Sequence, residues 1–272
     1  MKSQEEHFEN IKTYKLLANK SLGQNFLINQ QIAETICDSL SIEKEDKVLE
    51  IGAGLGSLSY FLAKKEGSIK LIDIDERMLM SLHDSFDSCS NIQIARQNVL
   101  KEDLSSYTKI IGNLPYYITS SIIEHILLNA TNVKNIVLMT QKEVYPKLLK
   151  SNISPLSLML NYVADISSLN NVGRNNFTPV PHVDSGYFIL TPNENIKKTE
   201  NKELYKLICK LFLLRRKTIL NNLTNVIKDK EKSIEILSKL NVSQNMRPEQ
   251  LDINFYISLY FLLKSYDFLN RI

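Results

Sequence analysis

The chain is predicted to be an α/β protein with a Rossmann-like, mostly parallel sheet and a small, all-helical C-terminal domain. Three observations carry that prediction. Short apolar runs alternate with amphipathic helical stretches between residues 48 and 140, and such alternation builds a parallel sheet covered by helices on both faces. The first run leads into a loop with three alternating glycines, Gly52, Gly54 and Gly56. Beyond a polar stretch at 191–203, every apolar pattern has helical spacing. The expected domains are therefore 1–190, with 1–20 as an N-terminal extension, and 191–272.

Taken in order, "KVLEIG" (47–52), "IKLIDID" (69–75), "NIQIA" (91–95), "KIIGN" (109–113) and "NIVLMT" (135–140) read as strands. The segments between them carry apolar residues three or four apart, as in Leu58, Phe61 and Leu62, and in Ile122, Ile123 and Ile126. A β-rich run, "DSGYFILTP" (184–192), closes the body. The polar, proline-bearing "TPNENIKKTENKE" (191–203) reads as a linker. Helices are expected after it at 204–214, 216–228, 231–240 and 249–265.

Composition removes several classes of function. With 272 residues, 43% hydrophobic and 23% charged, the chain suits a soluble globular protein with one sizeable core and a smaller domain. Cys37, Cys89 and Cys209 are odd in number and lack metal-ligand spacing, which fits a reducing cytoplasm without disulfides. The four histidines show neither HxxxH nor HxH, so no metal is expected. Apolar runs fall short of the roughly 18 residues that span a bilayer. The charged N-terminus, "MKSQEEHFENIKTYKLLANK", lacks the apolar core of an export signal. Residues 1–190 hold 18 Lys/Arg against 21 Asp/Glu, whereas 191–272 hold 15 against 9. A basic C-terminal end suggests an anionic partner met from that side.

"VLEIGAGLGSLS" (48–59) places its glycines directly after the first strand, where they permit a tight turn and close approach of backbone N–H groups to a ligand. The next strand ends in Asp73 and Asp75, and an acid there suits a ribose diol. The dinucleotide pattern GxGxxG would need a glycine at Ser57, and the GxxxxGK[ST] phosphate loop is absent. The observed GxGxG looks like the nucleoside loop of methyltransferases that use S-adenosylmethionine, so an adenosyl ligand is favoured over NAD or ATP.

Asn113-Leu114-Pro115-Tyr116 ends the fourth strand. An amine on an aromatic base is a poor nucleophile because its lone pair is delocalised into the ring. Hydrogen-bond acceptors can draw that nitrogen towards a tetrahedral shape; the Asn113 side-chain oxygen and the Leu114 carbonyl are such acceptors. Pro115 biases Leu114 towards an extended backbone. Tyr116 offers a face on which an unstacked adenine can lie.

Together these motifs resemble the ribosomal RNA adenine dimethyltransferase family, and within it the small-subunit enzymes. "LGQNFLIN" (22–29), "EIGAGLGSLS" (50–59), "NLPYYIT" (113–119), "MTQKEV" (139–144) and "FTPVPHVDS" (177–185) occur in the family's order, and the likeness runs from about residue 20 to 265. It implies a class I S-adenosylmethionine-dependent methyltransferase, with Asn25, Leu27, Gly52, Gly54, Asp73, Asn98 and Asn113 in the cofactor pocket. Asn98 stands where the family usually has an aspartate for the adenine amine, which implies an altered cofactor affinity. Phe177 is implied to sandwich the target adenine opposite Tyr116. Tyr117 replaces an asparagine of the family pattern, and "ISPLSLMLNY" (153–162) lacks an expected arginine.

"LRRKTILNNL" (214–223) and "MRPEQL" (246–251) resemble segments of the small-subunit enzymes and imply RNA contact by Arg215, Arg216 and Lys217. The expected activity is dimethylation of two adjacent adenosines near the 3′ end of small-subunit (16S) rRNA. The expected enzyme is a cytoplasmic monomer that acts on a 30S-type particle and serves its maturation. Three alternatives stay open: a large-subunit (23S) resistance methyltransferase, an NAD-dependent oxidoreductase, and an assembly factor whose catalysis is dispensable.

Overall fold

A computed structural model of the chain describes residues 3–13 and 24–268. Residues 14–20 of the expected N-terminal extension, and Leu22 and Gly23 of "LGQNFLIN", lie outside the described residues. The first compact unit draws on 1–145 and 164–193, the second on 146–163 and 194–272.

In the first unit, α1 (Gln4–Thr13), β1 (Phe26–Leu27) and α2 (Gln30–Asp38) precede the sheet proper. Next come β2 (Lys47–Ile51), α3 (Ser59–Leu62), β3 (Ser68–Asp73), α4 (Glu76–Phe86) and β4 (Ile92–Arg96). Then come β5 (Lys109–Asn113), α5 (Thr119–Asn129) and β6 (Asn135–Gln141). After the short α6 (Tyr145–Leu148), where the chain leaves the first unit, and α7 (Pro155–Val163) of the second, the chain adds β7 (Ala164–Ile166), β8 (Asn170–Val172), β9 (Phe177–Thr178) and β10 (Ser185–Pro192).

The main sheet has the order β4-β3-β2-β5-β6-β10-β7, with β8 also paired to β10. Its first five strands are parallel, and β10 runs antiparallel to its neighbours. Leu49, Ile110, Ile111, Val137, Leu138 and Met139 are buried. Consecutive buried residues on one strand are what a sheet covered on both faces requires. In α1, Phe8 and Ile11 join the apolar core with Phe61, so this N-terminal segment is part of the packed body. A separate two-stranded ribbon pairs β1 with β9, Leu27 opposite Phe177, and Ile28 N–H donates to the Asn176 carbonyl at 2.8 Å.

The second unit contains α8 (Asn201–Leu211), α9 (Ile219–Ile227), α10 (Lys230–Lys239) and α11 (Ile253–Ser265). Thr218, Asp229 and Asp252 cap three of these helices, each accepting a backbone N–H with its side chain. Residues 146–163, placed by the sequence in the first domain, group with the second unit. In α7, Leu158, Met159, Leu160 and Val163 are buried, and the helix packs on α8 and α11. An apolar helical stripe does not reveal which neighbour will cover it, so the sequence could not assign this segment. Among the described residues, no helix is long and apolar enough to cross a membrane.

Gly112 meets a close-approach constraint. It pairs with Ile51 across β5 and β2, and a Cβ at Gly112 would lie 2.7 Å from the Ile51 carbonyl oxygen. Gly112→Ala is therefore expected to destabilise the fold by about 1–3 kcal/mol through overpacking. Chemical denaturation measures this, and an unchanged midpoint would show that β2 and β5 can part freely.

Candidate active site

The carboxyl ends of β2, β3 and β5 open on a cavity of about 320 Å³. It sits where the strand order reverses, β3 and β4 lying to one side of β2 and β5 and β6 to the other. Open α/β sheets bind ligands at that switch point. Asn25, Leu27, Gly52, Gly54, Asp73, Asn98, Asn113, Leu114, Pro115 and Tyr116 all border it, so the fold brings together residues up to 91 positions apart in sequence.

The glycine loop is held open by its own conformation. Gly52 has φ +68° and Gly54 φ +55°, both left-handed, where a side chain would be strained. A Cβ on Gly52 would point into the gap towards Asn113, 3.7 Å from its carbonyl oxygen. The Gly54 N–H donates to Asp73 Oδ2 at 2.9 Å, and Asp75 N–H donates to Asp73 Oδ1 at 2.9 Å. A carboxylate has about four lone-pair sites, so Asp73 keeps acceptor capacity for a diol. Ser57, which occupies the position of the missing third glycine, donates through Oγ to the Leu27 carbonyl at 2.7 Å. His7 Nε2 donates to the Gly56 carbonyl at 3.1 Å. These bonds tie the loop to β1 and α1.

Two carboxyls, the buried Glu50 and the half-buried Asp73, adjoin the loop. Glu50 Oε2 accepts from Ser59 Oγ at 2.7 Å. Burial pushes Glu50 up to about 8, with the Ser59 hydroxyl opposing and the charge of Asp73 adding. Burial also raises Asp73, against the backbone N–H groups that favour its charged form. Asn98 Oδ1 accepts the Leu100 N–H at 3.0 Å. One of its two lone pairs is thereby engaged and one remains for an adenine amine.

The Asn113–Tyr116 turn is anchored at every residue. Asn113 Nδ2 donates to the Asn25 carbonyl at 3.0 Å, which leaves Oδ1 as the acceptor of that side chain. Leu114 N–H donates to the Met139 carbonyl at 2.9 Å. Thr119 Oγ1 donates to the Pro115 carbonyl at 3.1 Å, and the Tyr116 and Ser185 hydroxyls are 2.8 Å apart. Ser185 is fully buried, so the Tyr116 ring has a fixed tilt.

Phe177 lies in the core and away from the cavity lining. It is 1% exposed, packs in the apolar core and does not border the cavity with Tyr116. Its place in β9 opposite Leu27 turns the ring inward. Arg215, Arg216 and Lys217 belong to the second unit and are exposed. Their loop is shaped by Asn222, itself 1% exposed. Its Nδ2 reaches the carbonyls of Leu214 at 3.1 Å, Lys217 at 3.4 Å and Thr218 at 3.1 Å, and its Oδ1 accepts Leu214 N–H at 3.3 Å.

Sequence reasoning missed Glu50, Ile74, Leu100 and Tyr117 at the cavity and Ser185 behind it. Three of these stood inside the runs that carry the family likeness, Glu50 in "EIGAGLGSLS", Tyr117 in "NLPYYIT" and Ser185 in "FTPVPHVDS"; Ile74 and Leu100 carried no such signal.

A doubly wound sheet of this strand order, with an acid facing a glycine loop at the switch point, defines a class I methyltransferase. A family profile described as ribosomal RNA adenine dimethylase matches residues 15–264, and the chain belongs to that family. The chain is 37% identical over 265 residues to the ribosomal RNA small subunit methyltransferase A of Mycoplasma mycoides subsp. mycoides, covering 92% of this chain and 99% of that one. The protein of the same name from Ligilactobacillus salivarius is 34% identical, with 92% and 91% covered. A dimethyladenosine transferase from Plasmodium falciparum superposes with a TM-score of 0.76 at 27% identity, covering 88% of this chain and 98% of that one. The 23S rRNA methyltransferase ErmE shares the fold, with a TM-score of 0.64 at 21% identity and 88% and 99% covered.

Glu50 generates a pH prediction. Between its ordinary value of 4.5 and about 8, the folded chain holds a proton that the unfolded chain has lost. Stability therefore falls as pH rises through that window, by at most about 1.4 kcal/mol per pH unit from this group. Glu50→Gln removes the contribution, so the variant should gain on the wild type progressively from pH 5 to pH 8 in thermal unfolding. Parallel profiles would place the proton elsewhere.

Proposed function

We propose that the protein transfers methyl groups from S-adenosylmethionine to the exocyclic N6 amines of two adjacent adenosines near the 3′ end of small-subunit rRNA. The observation that carries the reading is the Asn113 amide. Its Nδ2 is committed to the Asn25 carbonyl, so Oδ1 stays directed to accept from an incoming amine beside the cofactor loop. The Leu114 carbonyl supplies a second acceptor, on a residue pinned by its bond to Met139. Tyr116, tilted by Ser185, gives the base a face to lie on.

The cavity residues fit the cofactor. Asp73 would accept the ribose hydroxyls, Asn98 the adenine amine, and exposed Ile74 and Leu100 would flank the adenine ring. Gly52 leaves room for the methionine end, and Glu50, when ionised, would offset positive charge from below. When bound, S-adenosylmethionine supplies an electrophilic methyl carbon. The chain's part is positioning, which suits an in-line displacement. The base must leave its stack, at a cost of a few kcal/mol.

The small-subunit target is supported by relatives named for it, which match nine-tenths of the chain. The likeness to ErmE extends to the fold alone. Exposed Arg215, Arg216 and Lys217 would contact phosphates of a 30S-type particle. We further propose that the protein acts in the cytoplasm as a monomer.

The test offers labelled S-adenosylmethionine with under-methylated small subunits, large subunits and naked rRNA in parallel. Two methyls on each of two adenosines in small subunits alone would support the reading. Label in naked large-subunit rRNA would move the protein to the resistance class, and binding without label would make assembly the primary role. Asn113→Ala is expected to lower methyl transfer about a hundredfold or more, while calorimetry shows cofactor affinity changed only a few-fold; equal loss of both would confine Asn113 to the cofactor pocket. Alanine at Arg215, Arg216 or Lys217 should each reduce the slope of log affinity on log salt by about 1. An unchanged slope would remove that residue from the RNA contact.

A further inference from the structure

We propose that Tyr117 is a second stacking platform, at the mouth of the cavity, for the nucleobase that neighbours the target adenosine. The proposal rests on the RNA methyl-transfer reading of the same site. Tyr116 and Tyr117 are consecutive on one short 3₁₀ turn, Tyr116–Ile118, where successive side chains diverge by about 120°. Both border the cavity, yet their surroundings differ. The Tyr116 ring is half-buried and held through its hydroxyl by Ser185, whereas Tyr117 is 57% exposed.

The distribution of exposed apolar surface gives that exposure meaning. Among the described residues of the first unit, five large apolar side chains are exposed: Ile74, Met80, Leu100, Tyr117 and Val180. Three of them, Ile74, Leu100 and Tyr117, border this one cavity. Apolar groups gathered at a cleft mark a surface that a ligand covers. Ile74 follows Asp73 and Leu100 lies two residues past Asn98, at the end that suits the cofactor's adenine. Tyr117 adjoins the Asn113–Tyr116 turn, at the end that receives the target, and it is the only aromatic ring of the five.

A base drawn out of its stack leaves its neighbour with one face uncovered. That neighbour is tethered to the target by a single phosphodiester, so it arrives at the mouth of the cavity whenever the target enters. An exposed phenol face there suits any base, because every base has a π-face. Where the two target adenosines are adjacent, the same ring serves whichever of them is outside the cavity.

The test uses unmodified small subunits rebuilt with rRNA whose 3′ segment is a ligated synthetic oligonucleotide. Beside one target adenosine it carries either adenosine or an abasic nucleotide. Wild type, Tyr117→Ala and Tyr117→Phe are compared for particle binding, with cofactor affinity measured alongside. On the intact particle, Tyr117→Ala should bind about tenfold more weakly and Tyr117→Phe within about twofold of wild type. The abasic particle should bind wild type as weakly as the alanine variant, which loses nothing further. An equal loss on both particles, or no loss on the intact one, overturns the stacking role. A fall in cofactor affinity in Tyr117→Ala overturns it in favour of a wall of the cofactor pocket. Wild-type protein that transfers no methyl group from labelled S-adenosylmethionine to the intact particle overturns the methyl-transfer reading, and the subsite with it.

Discussion

Ile51 of β2 lies opposite Gly112 of β5, and that register position sets where both strands deliver their next residues. After Ile51 the chain enters the glycine loop; after Gly112 it delivers Asn113. Because Gly112 has no Cβ to press on the Ile51 carbonyl, the two strands stay paired as far as Ile51 and Gly112. The loop and the Asn113 turn therefore face each other across one gap. Parallel pairing does the rest, since β3 ends in the same layer and brings Asp73 to the Gly54 N–H.

The site is rigid because its backbone groups are claimed from several sides. β1 is only two residues long, yet its neighbourhood supplies the Asn25 carbonyl that orients Asn113 and the Leu27 carbonyl that holds Ser57. β1 is itself held by β9, which explains why Phe177 is an inward-facing anchor. In this arrangement Phe177 belongs to the ribbon that also holds Leu27 in place. Packing also has an electrostatic cost. Glu50 and Asp73 sit where burial disfavours their charge, and a cation bound above them would relieve it.

Most strands were legible to within a residue or two, because each is a short β-branched run closed by glycine or a polar residue. Three C-terminal helices likewise showed their apolar stripes, although α8 starts at Asn201, inside the expected linker. What escaped was structure without periodicity. β1 and β9 are too short to show a pattern, α1 looks charged although Phe8 and Ile11 are buried, and α7 carries a stripe that does not name its partner.

By itself, the sequence determined the chemistry of the local motifs. Alternating glycines specify an open turn, an acid at the end of the next strand specifies a carboxylate acceptor beside it, and Asn-Leu-Pro-Tyr specifies acceptors beside an aromatic face. Those properties belong to contiguous residues, so they can be read in a line. The tertiary structure decided which groups aim them. Asn25 and Asn113, Tyr116 and Ser185, and Ser57 and Leu27 are far apart in the chain, and no local propensity records such pairings. The packing also decided that Phe177 turns inward while Tyr117 stays exposed at the mouth of the cavity. Burial is a property of what surrounds a residue, and the surroundings exist only once the sheet has closed.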